Sequence, residues 1–345
     1  MHHVFHLVFL LCATFLSLQS FAAETPALIR IRVLADLSTF PELQQVQLKK
    51  ISPRIWSLNG DSLMIDGKPL ATSNLIHQKS NGKFDVISLV EFNEYLAGVV
   101  TGEMPSSWPL EALKAQAVVA RSYALSRIAE RQNQIYHLDG DHLDQVYRPQ
   151  SSKKARAAVL ATDGVVLKKQ TGGILKAYYH ADCGGHTVDA SSVWGSGEYN
   201  SGTAKDPWCA SRLSHRWSHE MDLGEFSRKL QIKEQELATR SYFAPQAQVI
   251  KIGSLVVSVQ RLREMFGFFN LRSSINKIEL SADSSVKISG QGFGHGAGLC
   301  QWGTRDQVKA GRTYVQVLKH YYPRAKIERN QTYLSFVKSV EAVSN

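Results

Sequence analysis

Within GEMPSSWPLEALKAQAVVARSY, residues 102–123, four side chains can hold or move a proton or an anion: Glu103, Lys114, Arg121 and Tyr123. A carboxyl group set among Met104, Pro105 and Trp108 would tend to stay protonated, because burial disfavours the charged form. A protonated carboxyl is what glycosidic bond cleavage needs beside the leaving oxygen. If water reaches it, the same Glu is an ordinary solvated acid. Arg121 follows Lys114 by seven residues, nearly two helical turns, so both can look out from one face. The expectation is a cationic face next to Glu103, weighed against a plain solvated helix surface.

Two further clusters carry reactive residue types. YYHADCGGHT, residues 178–187, spaces His180, Cys183 and His186 three apart. Together with Cys209 or His215 these could supply a tetrahedral zinc site, and the competing reading is a strand-end His plus a disulfide. GFGHGAGLCQWG, residues 292–303, has five glycines and presents His295 between two of them. That glycine pattern means tight turns and close backbone approach. It is neither a Walker loop nor a dinucleotide fingerprint, so no nucleotide is expected. Cys300 beside His295 invites a thiol nucleophile, against the simpler reading of a small buried residue.

These residues need elements to hold them. In SLVEFNEYLAGVV the positions Phe92, Tyr95, Leu96 and Val99 fall at helical spacing, and Gly102 stands where that helix would end. Glu103 is therefore expected in a short connection. Pro109 opens a second helix, with Glu111 in its first turn and a stripe of Leu110, Leu113, Ala117, Ala120 and Ala124. Upstream, LIRIRVLADL alternates as a strand, and Asn59-Gly60-Asp61 and Asp66-Gly67 mark turns. Downstream, LGEFSRKLQIKEQELATRS, residues 223–241, reads as one charged helix, and the segments after residue 246 alternate strand and helix.

A chain of 345 residues with 43% hydrophobic residues is globular in composition. Residues 1–22 hold no acid and run apolar from Val4 to Leu18 before Ser20-Phe21-Ala22, the pattern of a secretory signal cleaved after Ala22. The expectation is an exported protein of the periplasm, the cell wall or the extracellular space, or one anchored by that segment if it stays uncleaved. Net charge is +10, which suits anionic wall polymers or membrane surfaces. No zinc-finger spacing or RNP-like motif accompanies the charge, so no nucleic acid partner is expected. Beyond residue 22 the cysteines are Cys183, Cys209 and Cys300, for which one disulfide, Cys183 with Cys209, is the expected pairing.

The motifs GVVTGEMPSSWPLEALKAQAVVARSYAL, QVY at 145–147, YYHADCGGHT followed by VWG, and GFGHGAGLCQWG followed by YYP stand in one order. In this the chain resembles the SpoIID/LytB family from about residue 86 to 325. The resemblance implies a peptidoglycan-processing protein. One branch is a lytic transglycosylase that cuts glycan strands stripped of stem peptides, and another is named for enhancing a cell-wall amidase. The two hypotheses are accordingly a glycan-cleaving enzyme and a non-catalytic glycan-binding partner of an amidase.

Carried over residue by residue, the resemblance makes Glu103 the catalytic acid. It places Lys114, Arg121, Tyr123, Gln145, Tyr147, His180, Thr187, Tyr199, His295 and Gln301 around the glycan, with Lys114 and Arg121 set to bind the lactyl carboxylate of a peptide-free muramyl unit. Some relatives hold zinc through His and Cys just before QVY. Here HLDGDHLDQVY offers Asp144 in place of that Cys, so no cofactor is expected there. The expected fold is α+β, a two-lobed domain over residues 86–330 with a central groove containing Glu103 and the GFGHG loop. A β-rich segment, 23–85, precedes it and a tail, 331–345, follows.

Overall fold

The alternation in LIRIRVLADL produces a strand, β1 (Leu28–Leu37), that buries Ile29 and Ile31 and resets at a bulge to bury Leu34. The structure is a computed structural model that describes residues 28–41, 47–60, 64–65, 67–195, 202–210, 215–237, 242–243, 248–281 and 283–330. The expected signal segment, the C-terminal tail and Tyr199 lie outside the described residues.

After β1 come β2 (Gln47–Ser52), β3 (Ile55–Asn59), β4 (Met64–Ile65), β5 (Lys68–Pro69), β6 (Ser73–Gln78) and β7 (Phe84–Glu91). Then follow α1 (Phe92–Glu103), α2 (Leu110–Glu130), β8 (Leu138–Asp139), α3 (Lys153–Ala161), β9 (Val165–Lys169) and β10 (Tyr179–His180). Next are α4 (Ala190–Trp194), α5 (Pro207–Ala210), β11 (Arg216–Asp222), α6 (Leu223–Leu230), β12 (Tyr242–Phe243), β13 (Val249–Ile252), β14 (Leu255–Ser258) and α7 (Val259–Phe266). The last are β15 (Ile275–Leu280), β16 (Ser285–Gln291), β17 (Leu299–Cys300), α8 (Gln301–Lys309), α9 (Tyr314–Tyr321) and β18 (Ala325–Arg329).

The fold class is α+β, with mixed strands and helices in several small sheets. A six-stranded sheet runs in the order β2-β3-β6-β7-β1-β8, antiparallel except for the parallel β1–β8 pair. A four-stranded sheet, β11-β16-β15-β12, belongs to a second body closed by α6 and α7 around Phe226, Leu262, Ile275 and Ile288. The larger core gathers α1, α2, α3, α8 and α9 with β9 and the inner face of β1. Among the described residues no helix is long and apolar enough to cross a membrane.

Three expectations need correction. The boundary between residues 85 and 86 falls inside β7, whose partner β1 sends Ile29 and Ile31 into the larger core, so the β-rich segment is built into the domain. The charged helix over 223–241 stops at Leu230, where Gln231 turns left-handed at φ 57°. The stripe on α2 understates its burial. Ala112, Leu113, Ala115, Gln116, Ala117 and their successors through Leu125 are buried on all sides, while Leu110 is exposed. α2 is thus the central helix of the core, in contact with α1, α3, β9, α8 and α9.

Candidate active site

Glu103 is the last residue of α1, not part of the following connection. Gly98 and Gly102, one turn apart on this helix, explain how its carboxyl group is reached. A Cβ on Gly102 would lie 2.3 Å from the Val146 carbonyl oxygen, and one on Gly98 would lie 2.5 Å from the Arg148 carbonyl oxygen and from the Tyr147 ring. Each glycine costs about 1 kcal/mol of helix propensity relative to Ala. In return the segment 145–148 lies directly on the helix, and the Val146 N–H donates to Glu103 Oε1 at 2.8 Å.

Two more donors arrive from the parallel pair β10–β17, in which Tyr179 faces Leu299 and His180 faces Cys300. The Tyr179 hydroxyl donates to Glu103 Oε1 at 2.9 Å, and Gln301 Nε2, one residue beyond β17, donates to Oε2 at 3.2 Å. Behind Tyr179 the network continues inward. The amide of Gln145 donates to the Tyr179 oxygen at 3.4 Å, and the Tyr95 hydroxyl donates to Gln145 Oε1 at 2.8 Å. Tyr95 is wholly buried and stacks on Tyr147.

Burial pushes the Glu103 carboxyl above the usual carboxylate range, although the donors from Val146, Tyr179 and Gln301 each favour the ionised form. Desolvation is the larger effect. Glu103 nevertheless keeps part of its surface open to solvent. It is the one carboxylate in this network among the described residues. The nominal second acids are engaged elsewhere: Glu94 with Arg156, Glu111 with Lys114, and Asp182 with His215 and the Gly184 N–H.

Strand alternation sends Tyr178 and His180 to the side opposite Tyr179. There the Tyr178 ring stacks on Trp194 at 4.0 Å between centroids, and His295 lies 4.7 Å from Trp194 and 5.6 Å from His180. Trp194 is exposed, so this aromatic patch reaches solvent. His180 contacts the Ala297 carbonyl through Nδ1, and burial drives its pKa down to about 4. Burial also drives His295 well below the usual range, and its Nδ1 accepts from the Ala297 N–H, so both rings are neutral at neutral pH. The close approach that joins this loop to β10 requires glycine at 298. Its φ is 73°, and a Cβ would lie 1.9 Å from the Tyr178 carbonyl oxygen.

Several expected site residues lie elsewhere. Arg121 is fully buried and donates to the carbonyls of Val159, Thr162 and Val165, at and just beyond the C-terminus of α3. It is a structural cation, and neither a cationic face beside Glu103 nor a lactyl-carboxylate contact can include it. Lys114 pairs with Glu111 on its own helix at 2.6 Å. Thr187 is buried and accepts from the Ala204 N–H. The Tyr123 hydroxyl donates to Asp144 Oδ1, and Tyr123 packs edge-on against Tyr178. Tyr147 packs along α1 behind the Glu103 network. Of the positions carried over by resemblance, Gln145 and Gln301 join Glu103 in one network, while His180 and His295 form the neighbouring aromatic patch.

Asp144 receives hydrogen bonds from Tyr123, Arg127, Arg131 and the Asp139 N–H. Both of its oxygens are thereby engaged by two guanidinium groups, which makes it a poor metal ligand. Cys183, Cys209 and Cys300 form no disulfide, so the expected Cys183–Cys209 pairing is absent, and neither His180 nor His186 gathers with them. Cys300 is wholly buried and lies 3.7 Å from Cys209 Sγ, while the His295 Nδ1 is occupied by Ala297, which removes the thiol-nucleophile reading.

Sequence reasoning missed Tyr179 and Tyr95. The signal for Tyr179 was present, since alternation beside His180 must send it to the other face of β10. Tyr95 looked like one more apolar position of α1, and only its partner Gln145 marks it as part of the network.

A family model described as Stage II sporulation protein matches residues 80–168, the segment that contains Glu103, Gln145 and all of α2. The chain is 29% identical over 252 residues to an uncharacterised protein of Brachyspira hyodysenteriae, covering 70% of this chain and 68% of that protein. It is 25% identical over 265 residues to the Stage II sporulation protein D of Bacillus subtilis, covering 71% and 77% respectively. It is 28% identical over 332 residues to the Bacillus subtilis protein named Amidase enhancer, covering 79% of this chain and 46% of that one.

Proposed function

The chain belongs to the SpoIID/LytB family and its function is cell-wall related, and from that premise we propose that it is a lytic transglycosylase acting on peptidoglycan glycan strands. Glu103 is the general acid. The observation that carries this reading is a single carboxyl group, raised by burial and held by three donors, on a residue that is itself only half-buried.

The two carboxyl oxygens are not equivalent. Oε1 takes two donors, so it remains the acceptor, whereas Oε2 meets only the longer Gln301 contact. The proton therefore sits on Oε2, and rotation of the Gln301 amide can turn its oxygen toward that O–H. Glu103 gives this proton to the oxygen linking N-acetylmuramic acid to N-acetylglucosamine as the anomeric C–O bond breaks. The carboxylate then takes the proton of the muramyl 6-hydroxyl, whose oxygen closes on the anomeric carbon to give a 1,6-anhydro end. One carboxylate serves both steps because the nucleophile comes from the sugar, while the usual glycoside hydrolases need a pair. The patch of Tyr178, Trp194 and His295 offers ring faces on which a neighbouring sugar can stack.

A second reading rests on the relative named Amidase enhancer: the same surface binds glycan without cutting it, in the service of a cell-wall amidase. Mass spectrometry of peptide-free glycan strands incubated with the protein and with Glu103→Gln separates the two. Anhydro-muramyl ends made by the wild type alone support the transglycosylase. Reducing ends call for a second carboxylate, and binding by both proteins without cleavage supports the enhancer.

A further inference from the structure

We propose that Cys183, Cys209, Cys300 and Asp206 form a tetrahedral site for a structural zinc ion. Their ligand atoms all lie within 4.8 Å of one another in the interior, and they come from the loop after β10, from α5 with the residue before it, and from the end of β17. With zinc–sulfur bonds of about 2.3 Å and a zinc–oxygen bond of about 2.0 Å, a tetrahedron has edges of about 3.8 Å between sulfurs and about 3.5 Å between sulfur and oxygen. Cys209 Sγ and Cys300 Sγ are 3.7 Å apart, and Cys183 Sγ and Asp206 Oδ2 are 3.3 Å apart. A disulfide would need sulfurs about 2.05 Å apart. Three cysteines also cannot all pair within one chain, whereas one zinc engages all three.

The surroundings fit thiolates. The Cys183 N–H points to Cys300 Sγ at 3.3 Å, the Gly185 N–H to Cys183 Sγ at 3.4 Å, and the Gly303 N–H to Cys300 Sγ at 3.3 Å. Donors of this kind stabilise the deprotonated sulfur that a metal requires. Cys300 is also the N-cap of α8, where the helix dipole favours negative charge. The fourth ligand is oriented too: Tyr321 donates to Asp206 Oδ2 at 2.6 Å, and the Cys209 N–H donates to Oδ1 at 3.2 Å. Gly303 leaves room for this arrangement, since a Cβ there would lie 2.0 Å from Asp206 Oδ2 and 2.2 Å from the Tyr321 hydroxyl. Three soft thiolates and one carboxylate in a closed tetrahedron select zinc among the common divalent ions. The ion would clamp the start of α8, and so fix Gln301 against Glu103.

The test is metal analysis of the full chain purified without chelator, joined to a thiol count in denaturant with and without EDTA. One zinc per chain and three titratable thiols besides that of Cys12 are expected. Replacing the zinc by Co²⁺ should give an intense sulfur-to-cobalt charge-transfer band together with tetrahedral ligand-field bands in the visible. Tyr321→Phe, which keeps the ring and removes the donor to Asp206, should weaken zinc binding roughly 10- to 100-fold. Cys209→Ser should weaken the charge-transfer band by about a third or more, since one of three thiolates is lost. Protein that carries no metal, takes up no Co²⁺ and shows the same Tm with zinc or EDTA overturns the site. So does a Cys209–Cys300 disulfide found by mass, with Cys183 left as a thiol. None of these readouts depends on glycan cleavage.

Discussion

Glu103 and Arg121 are ionisable groups of neighbouring helices, and they show two ways of placing charge inside a protein. Arg121 gives the two terminal nitrogens of its guanidinium to three backbone carbonyls in a region without solvent, out of reach of a ligand. Glu103 stands at the end of its helix, receives donors on both oxygens, and is only half-buried as a residue. Burial alone thus does not mark a reactive group. What marks it is a charged form opposed by its surroundings together with a path to solvent, since a satisfied ion such as Arg121 has no reaction to enter.

Substitutions that remove each group should fail in different assays. Glu103→Gln should lower glycan cleavage by roughly 100- to 10,000-fold, the usual share of a general acid, measured as anhydro ends formed per unit time. It should not lower stability. Burial raises the native pKa of Glu103 above its unfolded value, so the wild type loses stability as pH rises from the unfolded pKa to the native one. Gln does not titrate, so the variant's advantage in denaturant melts should be absent below that window and full above it. Arg121→Ala should do the reverse. It strands three buried carbonyls and opens a cavity, costing about 3 kcal/mol or more in denaturant midpoints, with little change in cleavage per folded molecule. A selective loss of glycan binding in the folded variant would break the comparison.

Much of this contrast was legible in the sequence, though not its second half. The Met-Pro after Glu103 and the glycine-rich stretch at 292–298 pointed to the acid that three donors hold in one network and to one of the loops near it. The helix of α1 and the α+β class also followed from periodicity. Arg121 was misread because a stripe of Ala and Leu implies one covered face, whereas small residues let other elements close around α2 from every side. Gly102 marks the end of α1 to within one residue, but its second role, leaving space for the Val146 backbone, has no signature in the local sequence. Pairings such as β10 with β17 join residues far apart in the chain and leave no local pattern to read.

Smaller changes sharpen the comparison. Tyr179→Phe removes one donor to Glu103, and a kinetic loss of roughly five- to tenfold is expected, equivalent to one hydrogen bond of about 1 kcal/mol. That donor favours the carboxylate, so its loss raises the Glu103 pKa further. The alkaline limb of kcat/KM should therefore move to higher pH, and an unmoved limb would show that Glu103 is not the titrating acid. Lys114→Ala should be smallest, within about 0.5 kcal/mol, because its ion pair with Glu111 lies near the surface.

The strand pairings at the two ends of the chain bear on how this protein can be dissected. β7 lies between β1 and β6, and β9 pairs with β18, so residues 80–168 have two hydrogen-bonding strands before them and another after them. Cut out alone, that segment would present both edges of β7 and one of β9 bare, with Val86, Ile87, Val166 and Leu167 uncovered, a template for edge-to-edge aggregation. The smallest stretch that carries Glu103 and remains soluble must therefore run from β1 to β18.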